Sequence, residues 1–328
     1  MLIDRYGRHI TYLRISVTDR CNLRCVYCMP EKGTLLQPHD AILRFEEILR
    51  VVEETAQQGV SEVRITGGEP LVRAELPELI SMIAAVPGIE DISLTTNAIL
   101  LAKFAAPLAE AGLHRINISL DTLDPDRFRR ITRRGDIEDV WLGIEAAEAA
   151  GLAPIKFNTV AMRGVNDDEL LDMARLSEKH PWNMRFIELM PVNNQETWGD
   201  HFPPFEEAYI SVQEIMEILT PLNLEPVERS TGSGPARSYQ IPGAPGKVGF
   251  ISPLGDHFCG ECNRLRLTAD GNLRPCLLND VEIPLLNDLR SGLSIQAHLS
   301  QALDSKPESH ELAQMHLPTR RCMQQIGG

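Results

Sequence analysis

Six of the seven cysteines in this 328-residue chain fall into two groups of three, Cys21-x3-Cys25-x2-Cys28 and Cys259-x2-Cys262-x13-Cys276. Clustered thiols, odd in total number in so long a chain, suit metal binding better than a secreted disulfide framework. Three thiolates can occupy three irons of a 4Fe-4S cubane and leave the fourth iron without a protein ligand. A structural zinc site is the rival, but zinc sites usually show paired C-x2-C knuckles and a fourth ligand nearby. Neither group shows a convincing fourth. His257 beside the second group is the tempting candidate, and a solvated loop histidine is its plainer reading. Cys322 stands apart and reads as an inert small hydrophobe.

Between the later cysteines lies Asn263-Arg264-Leu265-Arg266, whose arginines at alternate positions point the same way along an extended segment. Guanidinium forks suit phosphate oxygens, although exposed arginines more often form weak surface pairs. An open iron in the second group could take a nitrogen or oxygen ligand of a substrate directly. Gly67-Gly68-Glu69-Pro70 is by itself an ordinary turn, whose glycines permit close approach to a ligand.

Such residues need a scaffold. From Tyr12 to about Met190 short β-like runs alternate with amphipathic helical stretches, as repeated βα units do. The runs are Leu13 to Val17, Val63 to Thr66, Ile92 to Thr95, Ile116 to Leu120, Ile155 to Val160 and Met184 to Leu189. Helical spacing is clearest at Phe45, Ile48, Leu49, Val52 and Ala56, and at Leu76, Leu79, Ile80 and Ile83. The fold class is α/β, an incomplete (β/α)6 TIM-type barrel over residues 1–215, with a smaller C-terminal region, 216–328, carrying the second cysteine group. Pro191 to Phe205 and Ser230 to Lys247 read as loops, and Leu285, Leu289 and Leu293 as one helical face.

Parallel strands covered on both faces should be nearly continuously apolar. Here Arg14 and Ser16, Arg64 and Thr66, Ser93 and Thr95, Asn117 and Ser119, and Lys156 and Asn158 alternate with apolar neighbours. The inner face therefore lines a polar cavity, with Arg14, Arg64 and Lys156 aimed into it. The bulk charge is opposite: 32 Lys plus Arg against 46 Asp plus Glu leave a net charge of -14, which argues against general affinity for nucleic acid or anionic membrane. Met1 to Arg14 lacks the apolar core of a secretory signal and no later stretch approaches spanning length. The expectation is a soluble, cytoplasmic protein.

Taken together, C-x3-C-x2-C after the first strand, G-G-E-P after the second, and C-x2-C-N-R-L-R with a further cysteine resemble the molybdenum-cofactor GTP 3′,8-cyclase family (molybdenum cofactor biosynthesis protein A family) of the radical S-adenosylmethionine (SAM) superfamily. The resemblance covers essentially the full length, ending in Gly327-Gly328, a tail thought in this family to reach the active site. It implies two 4Fe-4S clusters, on Cys21, Cys25 and Cys28 and on Cys259, Cys262 and Cys276, with SAM on the first. It further implies SAM contacts at Tyr27, Gly68, Ser119 and Met190, GTP contacts at Arg14, Arg64, Thr95, Lys156, Arg264, Leu265 and Arg266, and a catalytic part for Arg264 and Arg266. The implied reaction is cyclisation of GTP to (8S)-3′,8-cyclo-7,8-dihydro-GTP after a 5′-deoxyadenosyl radical takes hydrogen from ribose C3′, the first step of molybdopterin synthesis. An electron donor is required. A homodimer and handover to a downstream molybdopterin-pathway enzyme stay open.

Overall fold

In the computed structural model the described residues are 1–192, 202–228, 234–255, 258–310, 312, 318 and 320–327. Six parallel strands follow the expected rhythm: β1 (Tyr12–Ser16), β2 (Glu62–Thr66), β3 (Asp91–Thr96), β4 (Arg115–Ser119), β5 (Lys156–Ala161) and β6 (Asn183–Glu188). Between them run α1 (Phe45–Ala56), α2 (Leu76–Ala84), α3 (Leu101–Glu110), α4 (Pro125–Thr132), α5 (Ile137–Ala149) and α6 (Leu170–Lys179). One face of each strand supplies the core. Leu13, Ile15, Val63, Ile65, Leu94, Ile116 and Phe157 pack with Ile48, Val51 and Val52 of α1 and with Leu79 and Ile80 of α2. Each such side chain contributes about 1.5–3 kcal/mol by leaving water. Helix starts follow local chemistry: Glu47 accepts from the Arg44 backbone at 2.8 Å, and Asp124 caps α4 by accepting from the Arg127 backbone at 2.6 Å.

The sheet does not stop at six strands. β9 (Lys247–Ile251) joins β6, and β10 (Arg264–Leu267) joins β1, both in parallel. Antiparallel β8 (Arg237–Gln240) and β7 (Glu225–Pro226) extend one edge, and β11 (Asn272–Arg274) and β12 (Ile283–Pro284) the other. Among the described residues the order is therefore β12-β11-β10-β1-β2-β3-β4-β5-β6-β9-β8-β7. The later third of the chain thus embraces both edges of the barrel, which sets Arg264 and Arg266 beside β1.

Two readings need correction. The stretch Ser230 to Lys247 contains β8, held because Tyr239 packs edge-on against Phe250 of β9, with ring centroids 5.4 Å apart. The helix near Leu285 spans only Leu286–Arg290, and Leu293 is 55% exposed rather than on its buried face. His257 and most of Pro191 to Phe205 lie outside the described residues. No described helix is long and apolar enough to cross a membrane.

Candidate functional site

Parallel register builds a row of cations. Arg14 pairs with Arg266 on one side and with Arg64 on the other, and Arg64 pairs with Ser93. Alternation turns these side chains away from the apolar core into a cavity of about 240 Å³, lined by Arg14, Arg64, Thr95, Arg185, Arg264 and Arg266. Arg64, Arg185 and Arg266 are buried, as is Lys156 at 2% exposure. Crowding like charges away from water disfavours the charged forms. Burial, then Arg266 and Arg64, hold Arg14 well below its ordinary range. Burial and Arg264 bring Arg266 down to about 10, burial and Arg64 bring Arg185 down to about 9, and burial and Arg185 bring Lys156 down to about 6. An excess of buried cations is a standing demand for an anion. Thr95 Oγ1 and Arg264 Nε are buried with no hydrogen-bond partner, so the cavity also offers unused polar groups.

Arg185 was missed from the sequence. It belongs to the polar alternation, because β6 places it opposite Asn158 of β5 and Gly249 of β9. A Cβ at Gly249 would lie 3.3 Å from Arg185 Cγ, so the glycine leaves space for that side chain. Two expected GTP residues do not line the cavity. Lys156 is buried and not among the lining residues, and Arg185, Arg115 and Arg64 act on its ammonium. Leu265 is 1% exposed in the apolar core, facing away from Arg264 and Arg266.

The first cysteine group follows β1 in the loop at its C-terminal end, where α/β barrels keep their chemistry. The Cys28 backbone donates to the Cys25 carbonyl at 3.0 Å, closing a tight turn. Burial raises all three thiols, and neighbouring thiols add to it at two of them: Cys28 and Cys21 act on Cys25, and Cys21 acts on Cys28. Cys21, pushed up to about 11 by burial and then by Glu69, receives the Leu23 backbone N–H at 3.4 Å and Asn97 Nδ2 at 3.9 Å. Cys28 receives the Gln324 backbone N–H. Glu69, 1% exposed and pushed up to about 7 by burial, accepts from Thr96 Oγ1 at 2.7 Å, Asn97 N at 2.7 Å and Leu71 N at 3.0 Å, which fixes Asn97 over Cys21. Gly68 has a packing reason of its own: a Cβ there would meet the Arg20 carbonyl at 2.3 Å, so only glycine lets this turn abut the cysteine loop. Tyr27 and Ser119 line both the main cavity and a small neighbouring pocket that contains Cys25, and Met190 lines the main cavity. The Tyr27 hydroxyl donates to Asp121 at 2.7 Å.

The second group lines the main cavity directly, with Cys259, Cys262 and Cys276 beside Arg264 and Arg266. Each thiol has a donor. The His310 backbone serves Cys259, the Leu278 backbone serves Cys276 at 3.4 Å, and Lys306 Nζ serves Cys262 at 3.4 Å. Burial alone would raise Cys262, but Lys306 and Arg264 bring it down to about 7. Arg8, tied to Asp4 at 2.6 Å, donates to the carbonyls of Cys259 at 2.8 Å, Glu308 at 2.9 Å and Pro307 at 2.6 Å. Among the described residues no three His, Cys, Asp or Glu side chains converge on a single ion. A cubane asks for something else, three thiolates spread over three irons with N–H donors at sulfur. Both groups fit that description.

The segment before the chain end enters the same cavity. The Gly327 carbonyl accepts from Arg14 at 3.1 Å and Arg266 at 2.9 Å. Its φ of +66° and the 2.7 Å that would separate a Cβ from Thr66 Cγ2 both require glycine here. Cys322 lies within electrostatic reach of Cys28. Gly328 is outside the described residues.

Comparison with known proteins agrees with this arrangement. Residues 15–177 match the radical SAM superfamily model, and residues 182–312 match the model described as Molybdenum Cofactor Synthesis C. The chain is 49% identical to a GTP 3′,8-cyclase of Moorella thermoacetica over 328 residues, covering 99% of each chain. It is 50% identical to a GTP 3′,8-cyclase of Heliobacterium modesticaldum over 333 residues, covering 100% of each. Among solved structures, Streptococcus suis SuiB bound to S-adenosylmethionine superposes with a TM-score of 0.63 at 15% identity, covering 90% of this chain and 68% of that one. Native anSMEcpe with bound AdoMet gives 0.58 at 16% identity, covering 92% and 82%. At such identities these two neighbours speak for the fold.

Proposed function

This chain belongs to the GTP 3′,8-cyclase family of radical SAM enzymes, and from that premise we propose how its residues carry out the family's reaction, the first step of molybdenum cofactor synthesis. The substrate is GTP, and the product joins ribose C3′ to guanine C8 as 3′,8-cyclo-7,8-dihydro-GTP. A 4Fe-4S cluster with SAM at its open iron supplies a 5′-deoxyadenosyl radical able to take the C3′ hydrogen. Cys21, Cys25 and Cys28 hold that cluster, with Tyr27, Ser119, Met190 and the Gly68 turn around the SAM. Cys259, Cys262 and Cys276 hold a second cluster on the substrate side. The carbon-carbon bond formed places the enzyme among the lyases, working with an external electron donor. Residues 1–215 act as the radical barrel and 216–328 as the part that carries the second cluster and closes the cavity.

One observation carries the substrate assignment: Arg14, Arg64, Arg185 and Arg266 face one cavity, and the buried Lys156 is electrostatically coupled to Arg185 and Arg64. A triphosphate satisfies that excess charge through short, charge-assisted hydrogen bonds. Arg14 and Arg266 already converge on one oxygen, the Gly327 carbonyl, which marks where a phosphate oxygen would be held. Held at several points, the nucleotide presents its ribose in one orientation, and orientation of this kind accounts for a large share of rate acceleration. The test is anaerobic incubation of the reconstituted protein with SAM, a reductant and each nucleoside triphosphate in turn. A cyclised product by mass analysis from GTP alone is expected. Equal turnover of ATP or CTP, or SAM cleavage without cyclised nucleotide, overturns the substrate assignment.

A further inference from the structure

Lys306 is 2% exposed and follows the helix Gln296–Asp304, whose Leu299 and Ala302 are buried in the core. Its ammonium has three protons and three acceptors: Cys262 Sγ at 3.4 Å, the Arg264 carbonyl at 2.9 Å and the Pro275 carbonyl at 2.7 Å. None of these acceptors is a carboxylate. Bringing an ammonium out of water costs several kcal/mol unless an anion compensates it, and two carbonyl dipoles supply no net charge. The remaining acceptor is a cysteine sulfur. A 4Fe-4S cluster on three thiolates is an anion at that place, and N–H donors at sulfur together with nearby charge are the protein's means of setting a cluster's potential.

We propose that Lys306 is a positioning and potential-setting residue of the second cluster. Its ammonium raises the cluster's reduction potential and clamps the Cys262 loop to the strand of Arg264 and to the turn before Cys276. The inference rests on the second cluster proposed above and goes beyond it, because it assigns the cluster's charge compensation to a residue 30 positions past the last of its cysteines. The clamp has a steric reason as well. Pro275 precedes Cys276 and Arg264 follows Cys262 by two residues, so one ammonium fixes the spacing of two ligands and the entry of the substrate-facing arginine strand.

The test uses the full chain carrying Cys21→Ala, Cys25→Ala and Cys28→Ala, so that any cluster present is the second one. Lys306→Gln and Lys306→Met are added to this background, with iron and sulfide analysis followed by a potentiometric titration read by electron paramagnetic resonance. The expected result is full cluster content with the midpoint moved to a more negative potential in both variants, further in Lys306→Met, which loses the donor as well as the charge. A loaded cluster with an unmoved midpoint overturns the assignment to Lys306 and leaves the second cluster standing. Absence of iron and sulfide from the triple-cysteine protein overturns the second cluster itself and the inference with it. Where the Lys306 variants assemble no cluster, pulsed measurements on the triple-cysteine protein labelled with 15N-lysine decide: a 15N coupling at the reduced cluster supports the contact, and its absence overturns it.

Discussion

The two cysteine groups have the same ligand count but different spacing, x3 and x2 against x2 and x13, and the balance of charge around them differs. Among the described residues, the buried carboxyls of Glu69 and Asp121 act on Cys21 and Cys25 at the first group, with Arg24 opposing Glu69 at Cys21; burial pushes Glu69 up to about 7 and Asp121 up to about 6, so both are negative neighbours above that range. Arg8 acts on Cys259, and Lys306 and Arg264 on Cys262, at the second. Negative neighbours disfavour adding an electron to a cluster and so make the reduced form a stronger donor, which is what reductive cleavage of a sulfonium demands. Positive neighbours favour an anionic cluster and an anionic ligand at one place. On the proposed reading, the same three-thiol device would suit delivery of an electron on one side of the cavity and retention of a nucleotide on the other.

The largest expected effect breaks the comparison at its base. Cys25→Ala removes one of the three thiols proposed to hold the SAM-binding cluster, so 5′-deoxyadenosine should fall to background while GTP still binds, as measured by chromatography of the nucleoside and by calorimetry. Cys276→Ala should do the reverse, leaving the first cluster assembled and SAM cleavage measurable while GTP affinity falls. Parallel loss of both activities in both variants would show that the two groups do not divide the work. Next in size is Arg266→Ala. A hydrogen bond to a charged group contributes about 1.5–3 kcal/mol, so the GTP dissociation constant should rise roughly 10- to 150-fold, with SAM affinity unchanged. An unaltered GTP affinity would mean that Arg266 serves the Gly327 carbonyl rather than a phosphate.

Much of this division was legible in the sequence, and particular residues show why the rest was not. The six barrel strands declared themselves because their alternation of Arg, Ser, Thr, Asn and Lys with apolar residues is a local property of period two. The same alternation runs on through Asn183 and Arg185 in β6, so Arg185 carried a signal that went unread. Lys306 carried none: it sits past the end of a helix, and only tertiary packing brings it to Cys262. The parallel pairing of β9 with β6 and β10 with β1 was equally hidden, since nothing in a five- or four-residue strand names a distant partner. Gly68 was read as a position of close approach to a ligand, and the close neighbour in this structure is the Arg20 carbonyl.

A moderate effect comes from Lys156, whose ammonium burial brings down to about 6. Between that value and the ordinary lysine range the unfolded chain holds a proton that the folded site lacks, so the residue makes the folded state gain stability as pH rises through this window. A bound triphosphate favours the charged form and reverses the sign for binding. GTP should therefore take up close to one proton at pH 8, and its affinity should weaken as pH rises. Calorimetry in two buffers of different ionisation enthalpy reads the uptake, and Lys156→Gln should abolish it. Wild-type binding without proton uptake would remove Lys156 from the cationic side of the comparison.

The smallest effect belongs to charges outside the cavity and shows what burial adds. Arg163, just past β5, pairs with Glu214 at 2.6 Å, both side chains nearly half exposed at 46% and 45%. Water and salt screen such a pair, which typically contributes about 0.2–1 kcal/mol. Glu214 also accepts from Ser211 in a capping box at the start of the helix Val212–Ile218, and that contact survives loss of the arginine. Arg163→Ala should therefore lower the melting temperature by no more than a few degrees, less at high salt, with iron content and GTP affinity unchanged. A large loss of either would mean that charge on the outer surface reaches the cavity, and the contrast between the two cysteine groups could no longer be assigned to their own buried neighbours.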